Sequence, residues 1–412
     1  MKTKLIIGSL LILILCAVIF DWQYGLEIAN RIEANIENNP LIKKNFSEVS
    51  YSRIKVSPIL SKVTFIAFKA KTDYLIECDE LVIKMAYDEA QELAQTNRLE
   101  KLTKLSLSAY NLNVLKNKEW YKASSFLLTF NGDVNPNDLS NALSSSQDIN
   151  LDVENIKTSG EIFGDLKWNE EIDEINKFSA LLSNNAEAKM ATLKKMDIVS
   201  TLINADLKAK YHYNNDLKPE KVQFVSDIAS VGNTISFGDI KDMGLYSIDG
   251  LVQRATGEVV FDAFGKVDDK RTSCKTYMAL NNAILDFNKE TRRMYTNQLS
   301  LIGVSLDDLR INKLDFNGEL RGGDLYLSDT RLYSPLLKAK IQSQIKFDFI
   351  KPHESLIKSS AVNVNIIDPN LKGSFEGIER LFGFQIPRSG DELVLELKGS
   401  LKKPLVKGVH YR

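Results

Sequence analysis

Cysteine and histidine are scarce. The 412-residue chain has three of each. Cys16, Cys78 and Cys274 are too few for a disulfide framework, and none has a second cysteine at metal-ligand spacing. His212, His353 and His410 stand more than fifty residues from one another and from every cysteine, so no zinc-site spacing is written. An excess of one charge is also lacking. With 53 basic and 54 acidic residues the formal charge is −1, which leaves no field to attract nucleic acid or to steer an anionic substrate. Phosphate-binding glycine loops are absent, and so is a nucleophile elbow. The nearest approach, Gly303-Val304-Ser305-Leu306-Asp307, lacks the second glycine and reads as a turn. The paired acids Glu170-Glu171, Asp268-Asp269 and Asp307-Asp308 are sequence neighbours whose side chains diverge on any regular element. The expectation is a non-enzyme with no metal, cofactor or catalytic residue.

One long apolar run is present. Lys2 and Lys4 precede Leu5 to Phe20, which ends at Asp21 and is followed by Trp22 and Tyr24. At about 1.5 Å per residue this run spans roughly 24 Å, short of a bilayer core of about 30 Å, but the two aromatics extend it into the headgroups. The residues before Asp21 form no small-residue cleavage site, and Leu15 before Cys16 breaks a lipobox, so a retained anchor is expected rather than a cleaved signal. Positive charge before the run and acids after it place the amino terminus in the cytoplasm and the bulk outside. No second stretch approaches spanning length, which predicts a single-pass protein. Cys78 and Cys274, nearly 200 residues apart, are expected to be free and buried.

After the anchor, Leu26, Ala29, Ile32 and Ile36 recur at helical spacing and predict an amphipathic helix from Tyr24 to Asn38 that packs on the following domain. From Val49 onward the period is two. Lys338 to Ile350 is the clearest strand, with Ala339, Ile341, Ile345, Phe347 and Phe349 on one face and lysines, glutamines and Asp348 on the other. Val362, Val364 and Ile366 repeat the pattern, as do Leu393, Leu395 and Leu397. Further strands are expected at 63–70, 74–85, 105–115, 126–130, 149–153, 222–228, 257–264 and 325–327. The phase slips at Asp79-Glu80, where Tyr74, Ile76 and Cys78 give way to Leu81, Ile83 and Met85, which predicts a bulge or break. Phe130-Asn131-Gly132-Asp133 and Phe316-Asn317-Gly318-Glu319 supply the two best tight-turn signals and suggest an internally repeated β architecture. Helices are expected at 88–102, near Asn137-Asp138 with Leu139 and Leu143, at 169–182 through Ile172, Ile175, Phe178 and Leu182, and at 371–382. The fold class is α+β, strand-dominated: an antiparallel curved sheet, groove or sandwich, with helical insertions and one N-terminal transmembrane helix. The domains read as anchor 1–22, linker helix 23–48, an N-terminal α+β domain 49–195 and a β-rich domain 196–412.

The stretch from Phe46 through Val49, Ile54, Pro58 and Leu60 to Ala67 resembles the start of AsmA-like envelope proteins. The segment Gly323-Asp-Leu-Tyr-Leu-Ser-Asp, the alternating strand to Phe349, and Asp391 to Pro404 with Gly399 are similar to the end of AsmA-like proteins and of the type II secretion protein N family. The likeness covers about the first 70 and last 100 residues. It implies an inner-membrane-anchored periplasmic protein whose sheet forms a trough for lipid acyl chains. Its lining would be Ala339, Ile341, Ile345, Phe347, Phe349, Val362, Val364, Ile366, Leu393, Leu395 and Leu397. The alternation alone fits a closed sandwich core equally well. Two functions stay open: a lipid-binding or lipid-transfer protein helping envelope assembly, with membrane lipid and other envelope proteins as partners, and a non-enzymatic scaffold or accessory of a secretion machine.

Overall fold

The computed structural model describes residues 2–38, 43, 46–96, 101–116, 119–134, 145–158, 174–201, 203–216, 218–231, 235–237, 245–286, 293, 296, 300, 304–305, 310–348, 351, 354–407 and 410–411; for 2–16 and some residues at element ends the backbone alone is described. The protein is strand-dominated, with few helices and open, curved antiparallel sheet. It divides into two units, Met1–Gly160 with Glu174–Ile198, and Glu161–Asp173 with Val199–Arg412.

Unit 1 begins with one continuous helix, α1 (Lys2–Asn38). The side chains of Leu5 to Cys16 lie outside the described residues, and among those described no helix is long and apolar enough to cross a membrane. The carboxyl half of α1 packs on the sheet through Gly25 and Ala29, both buried. A Cβ on Gly25 would stand 2.3 Å from the Val56 carbonyl oxygen, so only glycine lets the helix approach this strand. The sequence-predicted packing face included Leu26, which is exposed instead. The close approach at Gly25 rotates the buried stripe onto Gly25, Ile28, Ala29 and Ile32, and Leu26 falls beside it.

The strands then follow as a meander. Strands β1 (Glu48–Ser50) and β2 (Arg53–Ser57) both pair with β3 (Lys62–Lys71), which pairs with β4 (Leu75–Met85). Helix α2 (Tyr87–Thr96) intervenes before β5 (Leu102–Lys116). The helix expected to reach residue 102 stops at Thr96, because Leu102 already belongs to the alternating strand. Strands β6 (Glu119–Val134), β7 (Gln147–Thr158) and β8 (Glu174–Asn185) extend the ladder, each antiparallel to the one before, and β9 (Met190–Ser200) follows.

A line of paired breaks in the ladders crosses this unit, and the register is the same on either side of it. The ladders skip Ala67, Asp79, Asn111, Ser124, Asn155 and Asn176, one in each of the six strands β3 to β8. Ala67, Asn111 and Asn155 have φ of 51°, 51° and 52°, left-handed conformations that asparagine tolerates better than most residues. Asn111 Nδ2 donates to Asp79 Oδ2 at 2.6 Å, and Asn155 Nδ2 donates to Ser124 Oγ at 2.9 Å, so the line is hydrogen-bonded across strands. Because the breaks stand opposite one another, neighbouring strands change side-chain phase together and stay in register. Apolar residues accordingly step by three at the line: Phe65 to Phe68, Cys78 to Leu81, Ala109 to Leu112, Phe126 from Ala123, Ile156 from Val153 and Phe178 from Ile175. The predicted slip at Asp79-Glu80 is one member of this line. Another member explains a correction: residues 174–182, expected as helix, are strand β8, since the Ile175-to-Phe178 step imitates helical spacing. Asn137-Asp138, Leu139 and Leu143 lie outside the described residues.

Unit 2 is a second antiparallel meander. It comprises β10 (Ile203–Tyr213), β11 (Pro219–Ser230), the short β12 (Ile235–Phe237), β13 (Leu245–Val260), β14 (Ser273–Asp286), β15 (Ile311–Arg321), β16 (Asp324–Tyr333), β17 (Leu337–Lys346) and β18 (Leu356–Ile366). Helix α3 (Pro369–Phe382) follows, then β19 (Phe384–Gln385), β20 (Arg388–Ser389), β21 (Glu392–Ser400), β22 (Lys403–Lys407) and β23 (His410–Tyr411). The main ladder runs β10, β11, β13, β14, β15, β16, β17, β18, β21, β22. Asp368 caps α3 by accepting from the Leu371 N–H at 2.7 Å, Pro369 opens it, and Gly383 closes it at φ 64°.

Three sequence expectations are corrected here. Asn131-Gly132 and Asn317-Gly318 are not turns but lie inside β6 and β15. The β15–β16 turn is Gly322-Gly323, both at positive φ, a two-residue loop whose twist matches the strands. In both Phe-Asn-Gly copies the glycine makes room for the phenylalanine two residues before it. A Cβ on Gly132 or on Gly318 would lie 2.9 Å from the ring of Phe130 or of Phe316. The strand expected at 257–264 ends at Val260, because Asp262 Oδ1 accepts from the N–H groups of Phe264 and Lys266 and curls the chain into a loop. The strand expected to reach Ile350 ends at Lys346. Phe347 N–H instead bonds to the Gly323 carbonyl, and Asp348 Oδ1 accepts from the Lys351 N–H.

Candidate functional site

The register of unit 2 places the sequence-predicted apolar residues on one face. Ala339 stands opposite Val364, and Val364 opposite Leu393; Ile341 stands opposite Val362, and Val362 opposite Leu395. Two apolar rungs thus cross β17, β18 and β21. Ile345 faces Ile357 on one side and Leu325 on the other. Leu397 pairs with Val406, at the edge of this group. Ile366 lies at the end of β18 and packs with Phe375 against the buried trio Val304, Leu336 and Leu371, so α3 covers that end of the face. Phe347 is half-buried just past β17, and Phe349 lies outside the described residues.

The face is much larger than the sequence reading proposed. It continues through Leu325, Leu327 and Leu332 of β16 to Leu314, Phe316 and Leu320 of β15, then to Cys274, Met278 and Leu280 of β14. Gly257 and Ala255 of β13, opposite Phe224 and Ser226 of β11, carry it to Leu207 and Ala209 of β10. Unit 1 has its own apolar face, from Phe65 and Leu81 through Ala109, Phe126 and Val153 to Phe178. The signal that could have found these was present: Leu105, Leu107 and Ala109, or Phe126, Leu128 and Phe130, alternate as clearly as Leu393 to Leu397.

Burial distinguishes this face from a closed core. Ile345 and Leu393 are each 4% exposed, whereas Ala339, Ile341, Val364, Leu395 and Leu397 keep intermediate exposure. Residues in a sandwich interior interdigitate with a facing layer and lose nearly all their surface. Among the described residues, the only packed cluster of fully buried side chains is the Val304, Leu336, Leu371 group under α3. Outside it, buried residues such as Ile345, Leu393 and Leu320 alternate with half-exposed ones such as Ile341, Val364 and Leu395.

The opposite face is polar and its charges are spent on one another. Lys358 Nζ sits 2.6 Å from Asp324 Oδ2, Arg254 Nε 3.2 Å from Asp227 and Lys340 Nζ 3.6 Å from Asp329. The Lys358 ammonium and the Gln344 amide hold the Asp324 carboxyl below the usual range. A hollow of about 490 Å³ on this side is bordered by Asp227, Arg254, Lys275, Tyr277 and Glu319. Arg254 pairs with Asp227, and Lys275 with Glu319 at 3.9 Å. No group of three metal-ligating side chains occurs among the described residues. Cys78 and Cys274 are unbridged thiols, each on the apolar face of its unit. No family model, curated protein or solved structure matches the chain.

Proposed function

We propose that this protein is an inner-membrane-anchored, periplasmic lipid-binding or lipid-transfer protein, non-enzymatic, whose acyl-chain site is the apolar face of unit 2. The carrying observation is an apolar surface continuous in register from β10 to β21, many of whose side chains keep intermediate exposure and over most of which no second layer packs among the described residues. Exposed apolar area on this scale marks an interaction surface. An acyl chain leaving water gains about 0.8 kcal/mol per methylene, and a dry face supplies that without any directional contact. The amino-terminal apolar run and the AsmA-like resemblance support the membrane setting. Mass spectrometry of lipid extracted from the full-length protein after exchange out of detergent into amphipol tests the reading. Stoichiometric phospholipid, depleted by Ile341→Asp, is the expected result; lipid-free protein with an unchanged fold overturns it.

One observation favours the second reading, a scaffold or secretion accessory. The edge strand β22 leaves Leu405 and Val406 exposed, and an unpaired edge is a template for another chain's strand. A Leu405→Lys variant that keeps lipid but loses function would favour the scaffold.

A further inference from the structure

We propose that the β2–β3 turn of unit 1 is a second membrane contact, which seats the domain on the headgroup layer of a phospholipid bilayer beside α1. This rests on the membrane-anchored reading above. A tight turn exposed to water is ordinarily built from glycine, asparagine, aspartate and serine. Here its centre is Pro58-Ile59-Leu60, with Ile59 51% and Leu60 66% exposed. Asp21, the residue that ends the apolar run, holds this turn with both carboxylate oxygens: Oδ1 accepts from the Ile59 N–H at 2.9 Å and Oδ2 from the Ser57 hydroxyl at 2.8 Å. The clamp sets the tip level with the point where the apolar run meets Trp22 and Tyr24. Trp22 is 66% exposed, and Val18, Phe20 and Leu26 on the same helix are also uncovered. Tyr87 belongs to the same rim. It is exposed, and it follows Met85, whose N–H bonds to the Ser61 carbonyl at the base of the turn.

The occupant follows from continuity. Exposed Val18 and Phe20 are the end of the run from Leu5 to Phe20, and Trp22 follows on the same helix directly after Asp21. Trp22, Tyr24 and Tyr87 are the residue types that settle at a membrane–water boundary, with the apolar Ile59 and Leu60 among them. A bilayer that receives the run receives the rim in the same plane. Asp21 then has a positioning role: it joins helix and turn so that unit 1 leaves the membrane at a set angle rather than swinging on a linker.

The test uses the full-length chain reconstituted into phosphatidylethanolamine–phosphatidylglycerol vesicles. With Cys16, Cys78 and Cys274 replaced by alanine, Leu60→Cys carries an environment-sensitive fluorophore, and Glu187→Cys at the β8–β9 turn is the control. The expected result is at least twofold quenching of the Leu60 probe by nitroxide lipid, little by aqueous iodide, and the reverse at Glu187. Asp21→Ala should reduce the nitroxide quenching at Leu60 while the chain stays on the vesicles. A Leu60 probe quenched by iodide alone, on a chain that still floats with the vesicles, overturns the second contact and leaves the anchor standing. A chain that does not float overturns both. A probe shielded from both quenchers means that protein, such as a second copy, covers the turn, and this also overturns the proposal. If the cysteine-free chain fails to fold, headgroup-proximal diazirine lipid is crosslinked to the unmodified protein. Adducts on the 57–62 peptide are expected there, and their absence alongside adducts on α1 overturns the idea.

Discussion

The two units make the same kind of surface by different bookkeeping of side-chain phase. In unit 1 every strand from β3 to β8 breaks its ladder at the same level without a change of register, so one line crosses the sheet and neighbouring strands change face together. In unit 2 the interruptions are scattered: Gly250 at φ 59° with Asn282 at φ 51°, Gly399 at φ 95°, and register shifts between β15 and β16 and between β17 and β18. A register shift costs a pairing and displaces one strand against the next. Paired breaks leave the register intact, whereas the shifts of unit 2 change it strand by strand. In both cases one face carries most of the alternating apolar side chains.

The largest expected effect separates depth from exposure on that face. Ile345 lies on its floor, between Leu325 and Ile357, and Ile341 is half-exposed four residues away on the same strand. An unpaired charge in a dry site costs roughly 3–5 kcal/mol, so Ile345→Asp should lower the urea midpoint sharply. At Ile341 water hydrates the carboxylate, and Ile341→Asp should stay folded by circular dichroism while losing bound lipid. If both variants unfold, unit 2 has a closed core and the contrast with a sandwich disappears.

Next come the paired glycines, one in each unit. An alanine at Gly132 would meet the Cβ of Gln147 at 2.6 Å and its Cα at 2.9 Å, atoms held by the β6–β7 ladder. At Gly318 the near atoms are side-chain ones, the Phe316 ring at 2.9 Å and the Thr276 methyl at 3.2 Å, which can turn aside. Gly132→Ala should therefore cost about 2–3 kcal/mol and Gly318→Ala about 1 kcal/mol by urea unfolding. Equal losses would mean that the rings, not the facing strand, set the limit.

Smaller shifts probe the line of breaks in unit 1 directly. Ala67 is left-handed without asparagine's local hydrogen bonding, so Ala67→Gly should raise stability by a few tenths to about 1 kcal/mol. Asn111→Ala removes the bond to Asp79 and keeps the φ, and should lower stability by about 1 kcal/mol. Opposite signs in these two variants are the signature of a line that stores backbone strain and offsets it with cross-strand bonds.

Much of this was legible in the sequence, and the misreadings have one cause. Period-two runs without a slip, such as Ala339 to Ile345 or Leu393 to Leu397, announce both the strand and its face. The slip in β4 was legible because three alternating residues stand on each side of it. In β8 only Ile175 precedes the slip and Phe178 follows it, so the same device reads as a helix. Asn-Gly at 131 and 317 shows the limit of local turn chemistry, since space for an aromatic ring two residues back on the same strand demands glycine as firmly as a positive φ does. The dry side of each further strand was legible in the same way, but not which strands join into one face. Alternation says which side of a strand is dry, and register alone says which strands share that side.

The finest comparison is between the two thiols, one in each apolar face. Burial, with the Asp79 carboxylate beside it, pushes the Cys78 thiol up from an ordinary 9.0 to about 11, and burial raises Cys274 as well. Cys78 is 6% exposed, and Cys274 keeps intermediate exposure. Two pH units remove roughly 99% of the thiolate present at pH 8, and the thiolate is the nucleophile. Iodoacetamide should therefore modify Cys78 on the order of a hundredfold more slowly than it does in the urea-unfolded chain, with Cys274 between the two. The rate at Cys78 should climb about tenfold per pH unit up to about pH 11 instead of levelling near 9. Because the fold favours the protonated thiol, this contribution to stability is complete below pH 9 and is lost as pH rises through about 11. Rapid alkylation of Cys78 in the native protein at pH 8 would show that the face of unit 1 opens to water as freely as that of unit 2, and would remove the distinction between them.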